Sequence, residues 1–215
     1  MYQLIGLPNL LKAYAFVTAA IAVVWGVRVE ADLQGWMRCI SSSAAMVGVL
    51  FYALGETYAF VLLCRYLGLD RWFPDIDGDW VGANYSNWPR IENRDTTESL
   101  PLKEVPAEVT FKARLFSIQM DLVSEKRYSD SKTISMSIRK VNGRPQLAYV
   151  YDNVTREPKP NDADRHFGAA VLDIIGNGMS QSMDGWYWTN RNWSKGQNTA
   201  GHLKLFRKQN KDKLP

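Results

Sequence analysis

Residues 109–122 read VTFKARLFSIQMDL, and along this stretch apolar and polar side chains alternate. An apolar side chain at every second residue is the period of a β-strand that has one buried face. The alternation changes phase between Leu115 and Phe116, which indicates a bulge or a sharp bend at that point. The stretch therefore predicts two successive strands.

Similar alternation extends from residue 77 to residue 208 and predicts eight strands. They cover residues 77–86, 106–115, 116–124, 132–141, 146–153, 165–175, 183–192 and 199–208. Asn142 and Gly143 form a hairpin turn signal, and short connections favour an antiparallel meander. We therefore predict an all-β fold, an eight-stranded antiparallel up-and-down barrel that holds either packed side chains or one small ligand. The longer irregular segments, residues 87–104 and 153–165, are expected to lie over a barrel mouth.

Two apolar stretches precede the barrel, at residues 10–27 and 39–64. Each reaches the roughly 20 residues that an α-helix needs to cross a ~30 Å hydrocarbon layer. The polar segment between them favours a transmembrane hairpin with both chain ends on one side. A cleaved signal peptide is the alternative for the first stretch, but Lys12 lies inside the apolar run and the second stretch would still anchor the chain. The predicted domains are a hairpin at residues 1–70, a barrel at 71–208 and a basic tail at 209–215.

The net charge of +4 is unevenly distributed along the chain. The first 70 residues carry four basic and four acidic side chains, whereas the run that begins at Leu203 has five basic residues and one acidic residue. A protein that binds a nucleic acid duplex needs a broad basic face, so the sequence argues against DNA or RNA as a partner. Basic residues flank both ends of the hairpin, and the positive-inside rule therefore favours a cytoplasmic barrel only slightly.

Glu56 lies within the second apolar stretch. A carboxyl group at membrane depth is costly and normally faces a protein partner or a water-lined path, so Glu56 is a candidate residue for membrane assembly. Tyr52, Thr57 and Tyr58 are near enough in sequence to share hydrogen bonds with it. The alternative is a glutamate whose side chain reaches water at the membrane surface.

The residues that usually carry metal or catalytic chemistry are few. His166 and His202 are the two histidines, both cysteines lie in the apolar N-terminal part, and no ligand spacing occurs, so we expect no metal and no cofactor. Phosphate-loop and dinucleotide-binding fingerprints are also missing from the sequence. We therefore expect a protein that is not an enzyme. A hydrolase that uses His166 with Ser180 or Asp152 is an open alternative, because a catalytic triad is a spatial arrangement and need not leave a sequence motif. No pattern in the sequence supports this alternative directly.

The first predicted strand contains Gly78-Asp-Trp80-Val-Gly82. This Gly-x-Trp-x-Gly pattern resembles the opening strand of avidins and lipocalins. The resemblance implies that Trp80 closes the barrel floor under an arginine from a late strand, for which Arg191 and Arg207 are the candidates. The alternative is a tryptophan that closes the fold and has no ligand contact.

The order of several segments along the chain carries a second resemblance. After the two-helix hairpin come the segments FPDIDGDWVG at residues 73–82, SMS at 135–137, YVY at 149–151, HFG at 166–168 and GWYWTNR at 185–191. This order resembles the membrane effectors of bacterial cyclic-oligonucleotide antiphage systems (CBASS), which join two transmembrane helices to a β-barrel. The resemblance implies a barrel that binds a cyclic dinucleotide made by a partner nucleotidyltransferase after phage infection. It further implies self-association in the lipid bilayer of the inner membrane, membrane disruption and death of the infected cell.

A cyclic dinucleotide presents two base faces and two phosphates, so its site needs aromatic platforms and charge-assisted donors. Strand alternation places several suitable side chains on shared faces, and His166 shares a face with the small residues Gly168 and Ala170. The candidate ligand-binding residues are Ser135, Ser137, Tyr149, Tyr151, His166, Tyr187, Thr189 and Arg191. The alternatives are ordinary ones: aromatic pairs in core packing, serines that face water and a histidine that is merely hydrogen-bonded.

A second function remains open at this point, namely a membrane-anchored barrel that carries a small apolar ligand or acts as a scaffold. The two functions require different barrel interiors. A nucleotide receptor needs polar and cationic side chains that face inward, whereas a carrier of apolar molecules needs an apolar lumen.

Overall fold

A computed structural model describes residues 1–69, 72–94, 99–124, 128–158 and 163–208 of the chain. The predicted basic tail, residues 209–215, lies outside the described residues, and so do Asp70 and Arg71 at the predicted domain boundary. The chain divides into two compact units. The first comprises Met1–Trp72 with Arg114–Ser117, and the second comprises Phe73–Ala113 with the described residues from Ile118 onward.

The first unit contains three helices: α1 (Leu7–Arg28), α2 (Leu33–Glu56) and α3 (Tyr58–Tyr66). By length and composition, α1 and α2 are each able to cross a membrane. α2 begins earlier than the sequence predicts, because the Asp32 carboxylate caps it by accepting a hydrogen bond from the backbone N–H of Gly35 at 2.7 Å. The apolar stretch at residues 39–64 does not form one continuous helix, since Thr57 adopts an extended conformation that ends α2 and precedes α3.

α1 and α2 pack against each other at two well-defined points. The Tyr14 hydroxyl donates a hydrogen bond to the carbonyl oxygen of Ala44 at 2.8 Å. Near the hairpin connection, a Cβ atom at Gly26 would come within 2.6 Å of the Trp36 ring. Glycine at this position therefore lets the helix backbone approach the indole closely.

The second unit is a barrel of eight strands, each of which pairs antiparallel with the next. The strands are β1 (Gly78–Ser86), β2 (Lys103–Ala113), β3 (Ile118–Ser124), β4 (Ser129–Val141), β5 (Arg144–Thr155), β6 (Arg165–Ile175), β7 (Ser182–Thr189) and β8 (Ala200–Arg207). β8 pairs with β1 and closes the barrel. A short helix, α4 (Trp88–Glu92), follows β1. The predicted eight-stranded antiparallel barrel is confirmed.

The phase change at Leu115 and Phe116 marks a reverse turn between β2 and β3. Ala113 pairs with Ile118, and the Arg114 N–H donates a hydrogen bond to the Ser117 carbonyl at 2.7 Å. The sharp bend that the sequence indicates is therefore a hairpin turn. The bulge lies elsewhere, in β4 between Thr133 and Ser135.

Large apolar side chains fill one half of the barrel. The side chains that are almost fully buried there include Trp80, Phe111, Ile138, Leu147, Leu172, Met183 and Leu205. Trp80 packs edge-on against Phe111, and its indole N–H donates a hydrogen bond to the Ile76 carbonyl at 3.0 Å. This half of the barrel is a packed floor.

Arg207 covers Trp80 on the floor. Its guanidinium carbon lies 5.0 Å from the centre of the Trp80 ring. The same guanidinium donates hydrogen bonds to the backbone carbonyls of Asp75 and Asp77 and to the Gln181 side chain. Of the two arginines that the sequence offered, Arg207 takes this place and Arg191 does not.

Replacing Arg207 by leucine should lower the free energy of unfolding by about 2–4 kcal/mol, because several partly buried acceptors lose a charged donor. Denaturant unfolding of the full chain in detergent, followed by tryptophan fluorescence, measures this change. Arg191→Leu removes an arginine that also stacks on a tryptophan, and it is the matched control, with an expected loss below about 1 kcal/mol. Equal stabilities of the two variants would contradict the role of Arg207.

Candidate functional site

The half of the barrel opposite the packed floor encloses a cavity of about 660 Å³. This volume lies within the range of roughly 300–1,000 Å³ that is typical of small-molecule sites. All eight strands contribute to its wall, together with Trp88 and Glu92 of α4. Most of the lining side chains are polar or aromatic, so the cavity suits a ligand that has both ring faces and hydrogen-bonding groups.

Six of the eight predicted ligand-binding residues lie in the cavity wall, and their contact with a ligand stays a prediction. They are Tyr149, Tyr151, His166, Tyr187, Thr189 and Arg191.

Ser135 and Ser137 do not line the cavity, which corrects the sequence-based placement. The bulge between Thr133 and Ser135 shifts the alternation of β4 by one residue. Ser131 therefore faces the cavity on one side of the bulge, and Ile138 faces the barrel interior on the other. Ser135, by contrast, is exposed on the outer surface.

Small polar side chains of β3, β4 and β5 line the part of the cavity wall that we call the polar collar. It consists of Ser124, Ser129, Ser131, Asn153 and Thr155. Sequence reasoning missed all five. Asn153 and Thr155 continue the inward face of Tyr149 and Tyr151, so alternation alone would have found them. Ser129 and Ser131 lie before residue 132, where the sequence places the start of the strand.

Three tyrosines provide the aromatic surface of the cavity. The ring centres of Tyr149 and Tyr151 are 5.8 Å apart, and Tyr187 projects from β7. Burial raises the pKa of each of these phenols above its ordinary value. All three therefore stay neutral at physiological pH and keep an O–H group that can donate a hydrogen bond.

Gly168 leaves the space that the Tyr151 ring occupies. The two residues face each other on β5 and β6, and a Cβ atom at Gly168 would overlap the tyrosine ring. Because Gly168 shares a strand face with His166, the sequence predicts that it leaves room beside the imidazole. The structure shows that the Tyr151 ring occupies the space that a larger side chain would fill.

Arg191 brings a permanent positive charge to the cavity wall. Its guanidinium carbon lies 4.2 Å from the centre of the Trp88 ring, a distance typical of a cation–π contact. Burial raises the phenol pKa of Tyr187, and the hydrogen bond with Ser86 and, to a smaller extent, the charge of Arg191 act in the opposite direction. The carboxylates of Glu92 and Glu104 line the same cavity, so its electrostatics are mixed.

The residues of the alternative hydrolytic triad do not come together. His166 lines the cavity, but Asp152 is paired on the outer surface with Arg165, whose hydrogen bonds lower the pKa of the Asp152 carboxyl. The Ser180 hydroxyl donates a hydrogen bond to the Asn177 carbonyl in a 3₁₀ turn before β7. The geometry therefore gives no support to a hydrolase that uses these three residues.

Glu56 has a hydrogen-bond partner that the sequence analysis did not name. Its Oε2 atom accepts a hydrogen bond from the Ser117 hydroxyl at 2.9 Å. Of the expected partners, Tyr58 instead accepts a hydrogen bond from Arg65, and the Tyr52 ring stacks on Phe116. The expected sharing of hydrogen bonds with these tyrosines is therefore replaced by a contact with the β2–β3 turn.

Comparisons with known proteins agree on one family. Residues 72–207 match the family model described as "Cap15, cyclic dinucleotide receptor domain". A relative from Escherichia albertii, CD-NTase-associated protein 15, is 27% identical over 208 residues, which cover 93% of this chain and 95% of the relative. The family match spans every strand that lines the cavity.

Replacing Gly168 by alanine should destabilise the barrel by about 1–3 kcal/mol, because the added methyl group overlaps the Tyr151 ring and forces it to move. Denaturant unfolding measures the loss, and near-ultraviolet circular dichroism reports the displaced tyrosine. Ala169→Val, at the neighbouring outward-facing position of β6, adds more volume and should change stability by less than about 0.5 kcal/mol. An unchanged stability and tyrosine signal for Gly168→Ala would rule out this packing argument.

Proposed function

The chain belongs to the family of Cap15 cyclic dinucleotide receptors, and from this membership we propose that the barrel binds a cyclic dinucleotide in its cavity. One observation carries the proposal. The cavity combines three neutral tyrosines, an arginine held against a tryptophan and a collar of small polar side chains, above a floor that is closed by packing. Each group meets one chemical feature of such a ligand.

The tyrosines supply stacking surfaces for the two bases. Stacking of a base on an aromatic side chain contributes about 1–3 kcal/mol per base in proteins that bind single-stranded nucleic acids. Tyr149 and Tyr151 project from β5, and Tyr187 from β7, so the bases have more than one wall on which to stack. The phenol hydroxyls add hydrogen-bond donors that do not depend on pH in the physiological range.

Arg191 supplies the charge-assisted donors for a phosphate. Its guanidinium group presents several N–H donors that stay protonated, and hydrogen bonds from such groups to phosphate are roughly twice as strong as neutral ones. The stack on Trp88 restricts the side chain before the ligand arrives, which reduces the entropy lost on binding.

The lining of the cavity favours the receptor over the alternative carrier. A carrier of small apolar molecules needs an apolar lumen, whereas hydroxyl, amide, imidazole and guanidinium groups face this cavity. These polar groups would lose hydrogen bonds to water without replacement if an apolar molecule filled the space. Their presence supports a polar ligand, and the description of the family as receptors supports a binding role.

The complete proposal is an effector of a bacterial cyclic-oligonucleotide antiphage system. A partner nucleotidyltransferase makes the ligand in the cytoplasm after phage infection, and the barrel faces that compartment. α1 and α2 span the inner membrane, and ligand binding promotes self-association of the hairpins, membrane disruption and death of the infected cell. The apolar length of α1 and α2 and the name of the Escherichia albertii relative support this proposal.

Titration of the full chain in detergent with a panel of cyclic dinucleotides should give a dissociation constant in the micromolar range or tighter. Tyr151→Ala and Arg191→Ala should each weaken binding at least tenfold, a loss of about 1.4 kcal/mol, because a stacking surface or a phosphate donor is removed. Isothermal titration calorimetry measures these affinities.

The matched control for Arg191→Ala is Arg139→Ala, which removes an exposed arginine that does not line the cavity and should leave the affinity unchanged. If no member of the panel releases heat on mixing, the cavity does not bind cyclic dinucleotides and the carrier becomes the better interpretation.

Glu56→Leu should blunt killing of phage-infected cells without changing ligand affinity, because the variant removes a carboxylate from the end of α2 and leaves the cavity intact. Survival counts after infection, beside calorimetry of the purified chain, make the measurement. Ser117→Ala, which removes the partner of Glu56 but keeps its charge, should have a smaller effect. Glu30→Gln is the control in the connection between α1 and α2. Full killing by the Glu56 variant would remove this residue from the mechanism.

A further inference from the structure

Of the two polar atoms of the Asn153 side-chain amide, one is hydrogen-bonded and the other is not, within the described part of the chain. It lies on β5 opposite Ser131 of β4, is 7% exposed and lines the cavity. Its Nδ2 atom donates a hydrogen bond to the Ser131 hydroxyl oxygen at 2.7 Å. Its Oδ1 atom is buried and has no hydrogen-bond partner among the residues that the structure describes.

A buried amide oxygen at the wall of a cavity restricts which chemical groups of a ligand can lie beside it. A water molecule in the cavity can donate a hydrogen bond to Oδ1. A ligand that displaces this water loses affinity unless it brings a donor of its own. Ionised phosphate oxygens only accept hydrogen bonds, so a phosphate is unsuited to this position.

We propose that Asn153 reads an N–H group on the edge of one base of the bound ligand, so that the phosphates of the ligand face the opposite wall. This inference rests on the proposed function and deepens it. It makes Asn153 a specificity-determining residue and gives the ligand one orientation in the cavity.

The neighbours of Asn153 favour a base edge over a ribose hydroxyl, which is the other donor on the ligand. Tyr151 precedes Asn153 by two residues, and its side chain faces the same cavity. Its ring lies over Gly168, in space that any larger side chain would fill. A base that stacks on this ring carries its hydrogen-bonding edge toward the next inward side chain of the strand, which is Asn153.

The cationic group of the cavity lies against a residue that follows β1. Arg191 follows β7 and stacks on Trp88, which follows β1. In the closed order of eight strands, β1 is opposite β5. A ligand whose base edge meets Asn153 can therefore direct a phosphate to Arg191 across the cavity.

The experiment measures the affinity of the full chain in detergent for cyclic di-AMP, cyclic di-GMP and cyclic di-UMP. Each is compared with an analogue in which methyl groups replace the hydrogens on the base nitrogens. The tightest-binding parent should bind the wild-type chain at least tenfold more tightly than its methylated analogue. A ratio near one in the wild type would overturn the inference without the need for any variant.

Asn153→Leu separates the hydrogen bond from a steric effect, because leucine has the same branched arrangement of four side-chain heavy atoms as asparagine and no amide. In this variant the parent should weaken at least tenfold and the ratio should fall to about one. A ratio that stays at the wild-type value would show that the methyl groups act by bulk, and it would overturn the inference. Loss of preference for a 2′-hydroxyl over its 2′-O-methyl form, in place of the N–H preference, would also overturn it and assign the contact to ribose.

Thr199→Val is the matched control for Asn153→Leu. It removes a buried hydroxyl in the same cavity wall that is already hydrogen-bonded to Thr189, so it should leave the ratio of parent to analogue at the wild-type value. Failure of the proposed function is distinguishable from failure of this inference. No binding of any of the three parents refutes both, whereas binding without the N–H preference refutes only the role of Asn153.

Discussion

Closure of the barrel between β8 and β1 is the constraint on which the rest of the receptor domain depends. At this seam a Cβ atom on Gly82 or Gly201 would overlap a carbonyl oxygen of the facing strand, so glycine permits the close approach of the two strands. Closure leaves β1 and β8 without free edges and forces every inward side chain to share one lumen. The size of those side chains then decides whether the lumen is solid or hollow.

A gradient along each strand makes one half solid and the other half hollow. On β5 the inward residues run from Leu147, buried in the floor, through Tyr149 and Tyr151 to Asn153 and Thr155 in the collar. The floor contributes stability through apolar packing, and the arginine over its tryptophan seals it. The other half lacks this apolar packing and contains a cavity with polar walls. A ligand site built in this way stands on rigid strands, so its side chains are largely positioned before the ligand binds.

Sequence alone predicts the parts of this design that depend on periodicity. Alternation finds all eight strands and six residues of the cavity wall, because the period of a strand is two wherever its pleat is regular. It places Ser135 wrongly because a bulge inserts one residue without a sequence signal strong enough to mark it. It also leaves Arg191 and Arg207 equivalent, since only the closed barrel decides which of them reaches Trp80. Likewise, the break at Thr57 lies beside Glu56 in a stretch that is otherwise mostly apolar, and this short polar interruption does not by itself signal a helix end.

The central claim is that the ligand lies inside the barrel, between β5 and the wall that carries Arg191. Photo-crosslinking of the full chain with an 8-azido cyclic dinucleotide, followed by peptide mapping with and without unlabelled competitor, tests this claim most directly. We expect competitor-sensitive crosslinks on the inward residues of β5 and in the segment from Tyr187 to Arg191. Competitor-sensitive crosslinks confined to the outer face of the barrel or to α1 and α2 would contradict it.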